Sequence, residues 1–277
     1  MRICRKAGAI ESRPGPPYVS GMIGRHRLIG IAFSHYVEKA RWVMRRYSVP
    51  YTEQRYLPVM HMPAAAWASR GRGRGDRVSS PFSTPILITD RGERICDSSA
   101  IVRYVSDRCE GGLYDDPAAA EWEQRFHDRL APATRRVGYS LSLGNPERMA
   151  ALLSNVGPTQ RAVFRAIEPL AGRVLRDRLK ITPEKVERSK QRTFEELEAV
   201  EKQLRDGRRY LLGDRFSAAD LAFATAISPA LCVQPHEGID VIFPDPATLT
   251  GDAAELIARA RASRAGQFAL RLFAEER

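Results

Sequence analysis

The stretch RLIGIAFSHYVEKARWVMRRYSVPYTEQRYL (27–57) decides the architecture of the first part of the chain. RLIGIAF (27–33) is a short apolar run of strand length. HYVEKARWVMRRY (35–47) follows, with Val37, Ala40, Val43, Met44 and Tyr47 recurring at helical spacing. Pro50 stops the helix, and YTEQRYL (51–57) alternates as a second strand. A strand, a helix and a strand in so short a span imply a parallel pair joined by a right-handed crossover. Downstream of a variable connection (58–83), PILITD (85–90) and ERICD (93–97) are two short strands joined at Asp90-Arg91-Gly92, a hairpin signal. DSSAIVRYVSDR (97–108) then starts a helix, with Asp97 or Ser98 as N-cap and Ile101, Val102, Tyr104 and Val105 as its apolar face.

Beyond Pro117 the strand signals fade and helical periodicity takes over, around 117–142, 146–180 and 183–206. The last of these has Pro183 in its first turn and Gly207 just past its end, the asymmetry expected of helix termini. Its apolar stripe is Phe194, Leu197, Val200 and Leu204. LAFATAISPALCV (221–233) is too short to span a bilayer and is interrupted by Pro229, so it reads as a buried helix beginning at Ser217. A loop rich in Pro and Gly (about 234–251) leads to a final pair of helices, and no internal repeat is present.

Composition bounds the function classes. With 277 residues, 43% hydrophobic and 28% charged, the chain has room for two modest domains of an ordinary globular protein. Residues 1–26 show no apolar run that could serve as a secretory leader, so a soluble, cytoplasmic protein is expected. The net charge of +11 points at first to nucleic acid. Residues 1–26 and 69–79, however, carry about +4 and +3 of it, in segments whose composition reads as disordered. The remaining body is near balance, which speaks against a nucleic-acid partner. The four cysteines (4, 96, 109 and 232) are scattered, without a C-x-x-C pair or metal-ligand spacing. They argue against a metal site, a dithiol redox motif and a disulfide framework.

Three separated features then fit one family. FSHYVEKARW delivers Ser34 from a strand to the start of a helix, Thr84-Pro85 opens the third strand, and DSSAI (97–101) opens the next helix. In this order and spacing they resemble the N-terminal domain of glutathione S-transferases. GDRFSAADLAFA (213–224) resembles the buried N-capping box of the helical domain in the same family. The resemblance runs from about Arg27 to the C-terminus. It implies an α/β thioredoxin-like N-terminal domain followed by an all-α helical C-terminal domain, the glutathione S-transferase fold. The expected organisation is a disordered basic tail at 1–26, a glutathione-binding domain at 27–108, a linker at 109–116 and a helical domain at 117–277.

The resemblance also implies roles. Ser34 would be the catalytic residue, donating a hydrogen bond to the sulfur of glutathione, which is a cosubstrate. The thiolate is the nucleophile, and a helix N-terminus favours its negative charge. Serine is equally suited to be a plain N-cap. Pro85 would be cis and free the Thr84 backbone to pair with the cysteinyl unit. Asp97 and Ser98 would grip the γ-glutamyl end, with Asp97 standing where Glu is commoner. No metal is implied. A small electrophile or a peroxide would be the second substrate, and the protein would be a homodimer. The alternative is a non-catalytic binding or regulatory protein that keeps the fold, since fold does not fix function. His35 reads as a partly exposed residue at the helix start, and Ser217 and Asp220 read as structural.

Overall fold

The computed structural model describes residues 25–70, 80–109 and 111–277. Residues 1–24 of the expected tail and 71–79 of the basic loop therefore lie outside the described residues, while His26, placed in the tail by the sequence, is the first residue of a strand. The chain divides into two compact units, Met1–Tyr114 and Asp115–Arg277.

The first unit runs β1 (His26–Ile31), α1 (His35–Arg46), β2 (Tyr51–Tyr56), α2 (Met62–Ser69), β3 (Ile86–Ile88), β4 (Arg94–Ile95) and α3 (Ser98–Arg108). The strands form one sheet in the order β2-β1-β3-β4. β1 and β2 are parallel, as a crossover through α1 requires, and the other two pairings are antiparallel. Strand side chains alternate between faces, so the sheet buries two different layers. Ile29, Ile86 and Ile88 meet Ala65 and Ala68 of α2 together with Cys96. On the other face Gly30 lets α1 approach β1, because a Cβ there would sit 2.4 Å from a Val37 methyl. The periodic positions Val37, Ala40, Val43 and Met44 of α1 are buried, as is Tyr47 just past its end.

α2 falls inside the stretch that carries no sequence pattern. MPAAAWAS has apolar or small residues on every side, so no periodicity marks it. Buried Ala65 and Ala68 hold it to the sheet, and Arg94 donates to the Trp67 and Ala68 carbonyls at its C-terminal end.

The second unit is helical throughout. α4 (Ala118–Arg125) and α5 (Ala131–Ser142) are continuous through a π-helical turn, Phe126–Leu130, in which the Ala131 N–H reaches back to the Phe126 carbonyl. Pro132 explains the wide turn. It has no N–H to donate and its ring would strike the carbonyl four residues back in a regular α-helix. The expected helix at 146–180 is two helices, α6 (Pro146–Leu153) and α7 (Pro158–Arg178), broken at Gly157-Pro158. α8 (Pro183–Gln203), α9 (Ala218–Leu231), α10 (Asp252–Ala262) and α11 (Arg264–Glu276) complete it. α9 is the hub: every residue but Pro229 is buried, and it packs on α4, α5, α10 and α11. Glu196 on α8 is also fully buried, held at 2.6 Å by both the Arg125 and Arg129 guanidinium groups. Among the described residues no helix is long and apolar enough to cross a membrane.

Candidate functional site

Strand register brings the predicted residues to one end of the sheet. Ile29 stands opposite Ile86, so continuing the antiparallel pairing places Thr84 level with Ile31, three residues before Ser34. Leu87 stands opposite Ile95, and the same continuation sets Asp97 level with Pro85. Ser34, Thr84, Pro85, Asp97 and Ser98 therefore share the edge where β1 ends, β3 begins and β4 ends. The first turns of α1 and α3 both open there. The N–H groups of a first turn have no acceptor within the helix, and both helix starts carry partial positive charge.

Ser34 is the N-cap of α1 by backbone geometry, φ −78° and ψ 126°, yet its hydroxyl makes no capping hydrogen bond. It is half-buried, and its Oγ makes no hydrogen bond among the described residues. His35, which the sequence places as partly exposed, is buried, with its ring 4.2 Å from that of Tyr36. A residue facing inward from the first turn of a helix that crosses a sheet closely has no route to water.

The Thr84-Pro85 peptide bond is cis. Pro85 is buried and Thr84 half-buried, and neither the N–H nor the carbonyl of Thr84 is bonded within the described residues. At the start of α3 the sequence leaves the cap open between two residues, and the structure gives it to Asp97. Its Oδ1 accepts from the Ser99 N–H at 2.8 Å and the Ala100 N–H at 3.0 Å. Its other oxygen, Oδ2, bonds nothing among the described residues. Ser98 is 2% exposed, and its Oγ has no hydrogen-bond partner among the described residues. A hydroxyl so placed costs about 1–3 kcal/mol unless something satisfies it.

Two charged side chains of α1, Lys39 and Arg41, also reach this edge. Lys39 is 4% exposed and donates to the Ser99 hydroxyl at 3.0 Å, tying α1 to the α3 start. Arg41 is fully buried and bonds Glu38 at 3.1 Å and Glu53 at 2.6 Å. Its Nη2 also donates to the Ala32 carbonyl at 2.7 Å, in the loop that delivers Ser34. Burial alone would lower the Arg41 pKa, but the two carboxylates outweigh it and hold it above its ordinary value. The sequence did hold a signal. Arg41 sits four residues after Val37 and three before Met44, on the buried stripe itself.

In the helical unit Asp220 is fully buried and accepts from the Leu211 N–H at 2.8 Å, the Ser217 N–H at 2.9 Å and the Ser217 hydroxyl at 2.7 Å. Burial raises its pKa, against these hydrogen bonds. The pair has the structural geometry expected of it. Of the cysteines, Cys96 and Cys232 are free and buried, and burial pushes the Cys232 thiol up to about 12. Cys109 is disulfide-bonded, contrary to the expectation of unlinked thiols, and Cys4 lies outside the described residues. Scattered spacing does not report which cysteines meet in space. Among the described residues no group of three or more His, Cys, Asp or Glu side chains forms a metal-holding arrangement.

Two family models match the chain. The glutathione S-transferase N-terminal domain covers residues 33–108, and the glutathione S-transferase C-terminal domain covers residues 183–242. A search of curated proteins found no match. Among solved structures, the chain is similar to glutathione transferase GSTFuA3 from Phanerochaete chrysosporium at 14% identity, over 92% of this chain and 98% of that one, with a TM-score of 0.59. It is similar to the theta class glutathione S-transferase of the citrus canker pathogen Xanthomonas axonopodis pv. citri, solved with glutathione bound. That match has 18% identity, covers 90% and 98% of the two chains, and has a TM-score of 0.51. A family member from Pseudomonas fluorescens Pf-5, solved with two glutathione molecules bound, matches at 14% identity over 89% and 92%, with a TM-score of 0.51. The chain thus matches the N-terminal and C-terminal domain models of the glutathione S-transferase family, in that order, and has the glutathione S-transferase fold.

Proposed function

We propose that the protein binds glutathione at the sheet edge and activates its thiol for transfer to a small electrophile. The buried Ser98 hydroxyl carries this reading: among the described residues it is unpartnered, at the first turn of an 11-residue helix, where a carboxylate would satisfy both it and the helix N-terminus. The unspent Asp97 Oδ2 suits the ammonium beside that carboxylate. The unbonded Thr84 N–H and carbonyl suit the peptide backbone of the cysteinyl unit. With the ligand so laid, its sulfur falls toward the α1 start. There the Ser34 hydroxyl would donate to the sulfur and stabilise the thiolate. The thiolate would attack the electrophile, form the new carbon–sulfur bond and expel the leaving group, while the thiol proton goes to solvent. Ser34 forms no covalent bond in this scheme. Homodimerisation, a cytoplasmic location and the boundaries at 27–108 and 117–277 belong to the same proposal, on family resemblance.

The test is glutathione calorimetry on wild type, Ser98→Ala and Ser34→Ala, followed by turnover with an activated aryl chloride and with an alkyl hydroperoxide. Ser98→Ala should weaken binding at least tenfold, the scale of one lost hydrogen bond to a charged group. Ser34→Ala should bind nearly normally and lose turnover. The substrate that turns over separates conjugation from peroxide reduction. Normal glutathione affinity in Ser98→Ala would sink the assignment of that residue. Binding without any turnover would favour the non-catalytic reading.

A further inference from the structure

We infer that Arg41 is a positioning residue for Ser34, acting through the carbonyl of Ala32. The inference rests on the role proposed above for Ser34. A fully buried arginine on the apolar stripe of a helix is a costly choice for packing alone, since a hydrophobic residue of similar volume would serve at least as well. What Arg41 does with its charge is specific. Glu53 of β2 takes its Nε at 2.9 Å and its Nη2 at 2.6 Å, and Glu38 of the same helix takes Nη1 at 3.1 Å. The guanidinium plane is thereby fixed, and Nη2 still has a hydrogen for the Ala32 carbonyl at 2.7 Å. Ala32 is held from its other side as well, its N–H donating to the Tyr56 carbonyl at 2.9 Å.

The consequence reaches Ser34 in two residues. The chain leaves β1 at Ile31 and enters α1 at His35, so Ala32, Phe33 and Ser34 are the whole connection. Both ends of the Ala32 unit are bonded, and the Ser34 N–H is closed onto the Ile31 carbonyl at 3.1 Å. The Ser34 hydroxyl makes no cap bond of its own, so its aim is set by this backbone and not by its side chain. A rigid connection keeps Oγ pointed where a sulfur would sit, and a loose one spreads it over rotamers. Lysine in place of Arg41 would keep the charge but lacks the planar fork that meets a carboxylate and a carbonyl together.

The experiment compares wild type, Arg41→Lys, Arg41→Met and Ser34→Ala as full chains. It has two readouts. The first is amide hydrogen exchange of 32–36 without ligand, with 97–101 as internal reference. The second is the pKa of the bound glutathione thiol, followed through thiolate absorbance. Arg41→Lys should speed exchange in 32–36 about tenfold, the scale of one charge-assisted hydrogen bond, and leave 97–101 unchanged. It should also raise the bound-thiol pKa part of the way to the value in Ser34→Ala, with glutathione affinity little altered. Arg41→Met, where it folds, should go further on both. Unchanged exchange at 32–36 in folded Arg41→Lys would overturn the inference, as would exchange that rises equally across the unit. Should wild type and Ser34→Ala share one thiol pKa, the role of Ser34 fails, while the exchange pattern still decides whether Arg41 holds the connection.

Discussion

At the scale of single residues, burial sorts the polar groups into those already satisfied and those left open. Asp220 is satisfied three times over, so removing it strands the Leu211 and Ser217 N–H groups in the core. Asp220→Ala should cost about 2–4 kcal/mol in chemical denaturation, and Ser217→Ala about 1 kcal/mol, because the latter removes a capping hydroxyl but leaves the carboxylate that holds both N–H groups. Equal costs, or none, would show that the carboxylate does not organise the α9 start. His26 supplies a pH dependence. It is 3% exposed, its Nδ1 accepts the Asp90 N–H at 3.2 Å, and burial lowers its pKa, with Arg108 adding to that and Asp90 opposing. Below the ordinary value of 6.5 the unfolded chain takes up a proton that the folded chain refuses. This contribution is therefore fully present above about pH 6.5 and is lost as the pH falls, at no more than about 1.4 kcal/mol per pH unit for one proton. Between pH 7.5 and 5.5 wild type should lose more stability than His26→Asn, which keeps an acceptor without the titration. Parallel losses would remove His26 as the cause.

At the scale of elements, the closest approach in the first unit is α1 over β1 at Gly30. An added methyl meets Val37 Cγ2 at 2.4 Å and Cγ1 at 3.0 Å, both on a stiff β-branched side chain. Gly30→Ala should cost about 1–3 kcal/mol through overpacking. Val37→Ala in the same chain should recover part of that, so the double-mutant cycle should show coupling. Additive effects would mean that the helix simply shifts. The same elements show what the sequence made legible. α1, α3 and α8 announced themselves because one face is apolar, α9 because it is an almost unbroken apolar run, and their ends carry Asp97, Thr182, Ser217 or a proline. α2 was silent because MPAAAWAS has no polar face to contrast with its buried one. The break between α6 and α7 was hidden because apolar spacing continues across Gly157-Pro158. At the site, motif residues that cap helices or open strands were readable from local chemistry. For Arg41 only its place on the buried stripe was readable, and for Lys39 not even that, since their partners Glu53 and Ser99 come from other elements and only folding brings them together.

At the scale of the whole molecule, the question is what a net charge of +11 does for a protein whose proposed ligand is a small anion. Within the described residues many arginines are already engaged, among them Arg125 and Arg129 on Glu196, Arg261 on Glu237 and Arg277 on Asp240. Arg2, Arg5, Lys6 and Arg13, by contrast, have only Glu11 for company in the first 21 residues. Attraction to a polyanion should therefore reside in that segment and not in the glutathione site. Full-length protein should bind mixed-sequence DNA weakly at low salt, with affinity falling steeply as salt rises. Deleting residues 1–21 should reduce the slope of log affinity against log salt by roughly 3–4, the release expected from four phosphate contacts. Glutathione affinity in the same truncated chain should be unchanged, because Ser34, Thr84, Asp97 and Ser98 lie at the ends of β1, β3 and β4. A truncated chain that keeps both its DNA affinity and its salt slope would move the charge effect into the folded body. Glutathione, as an anion, should then compete with the DNA.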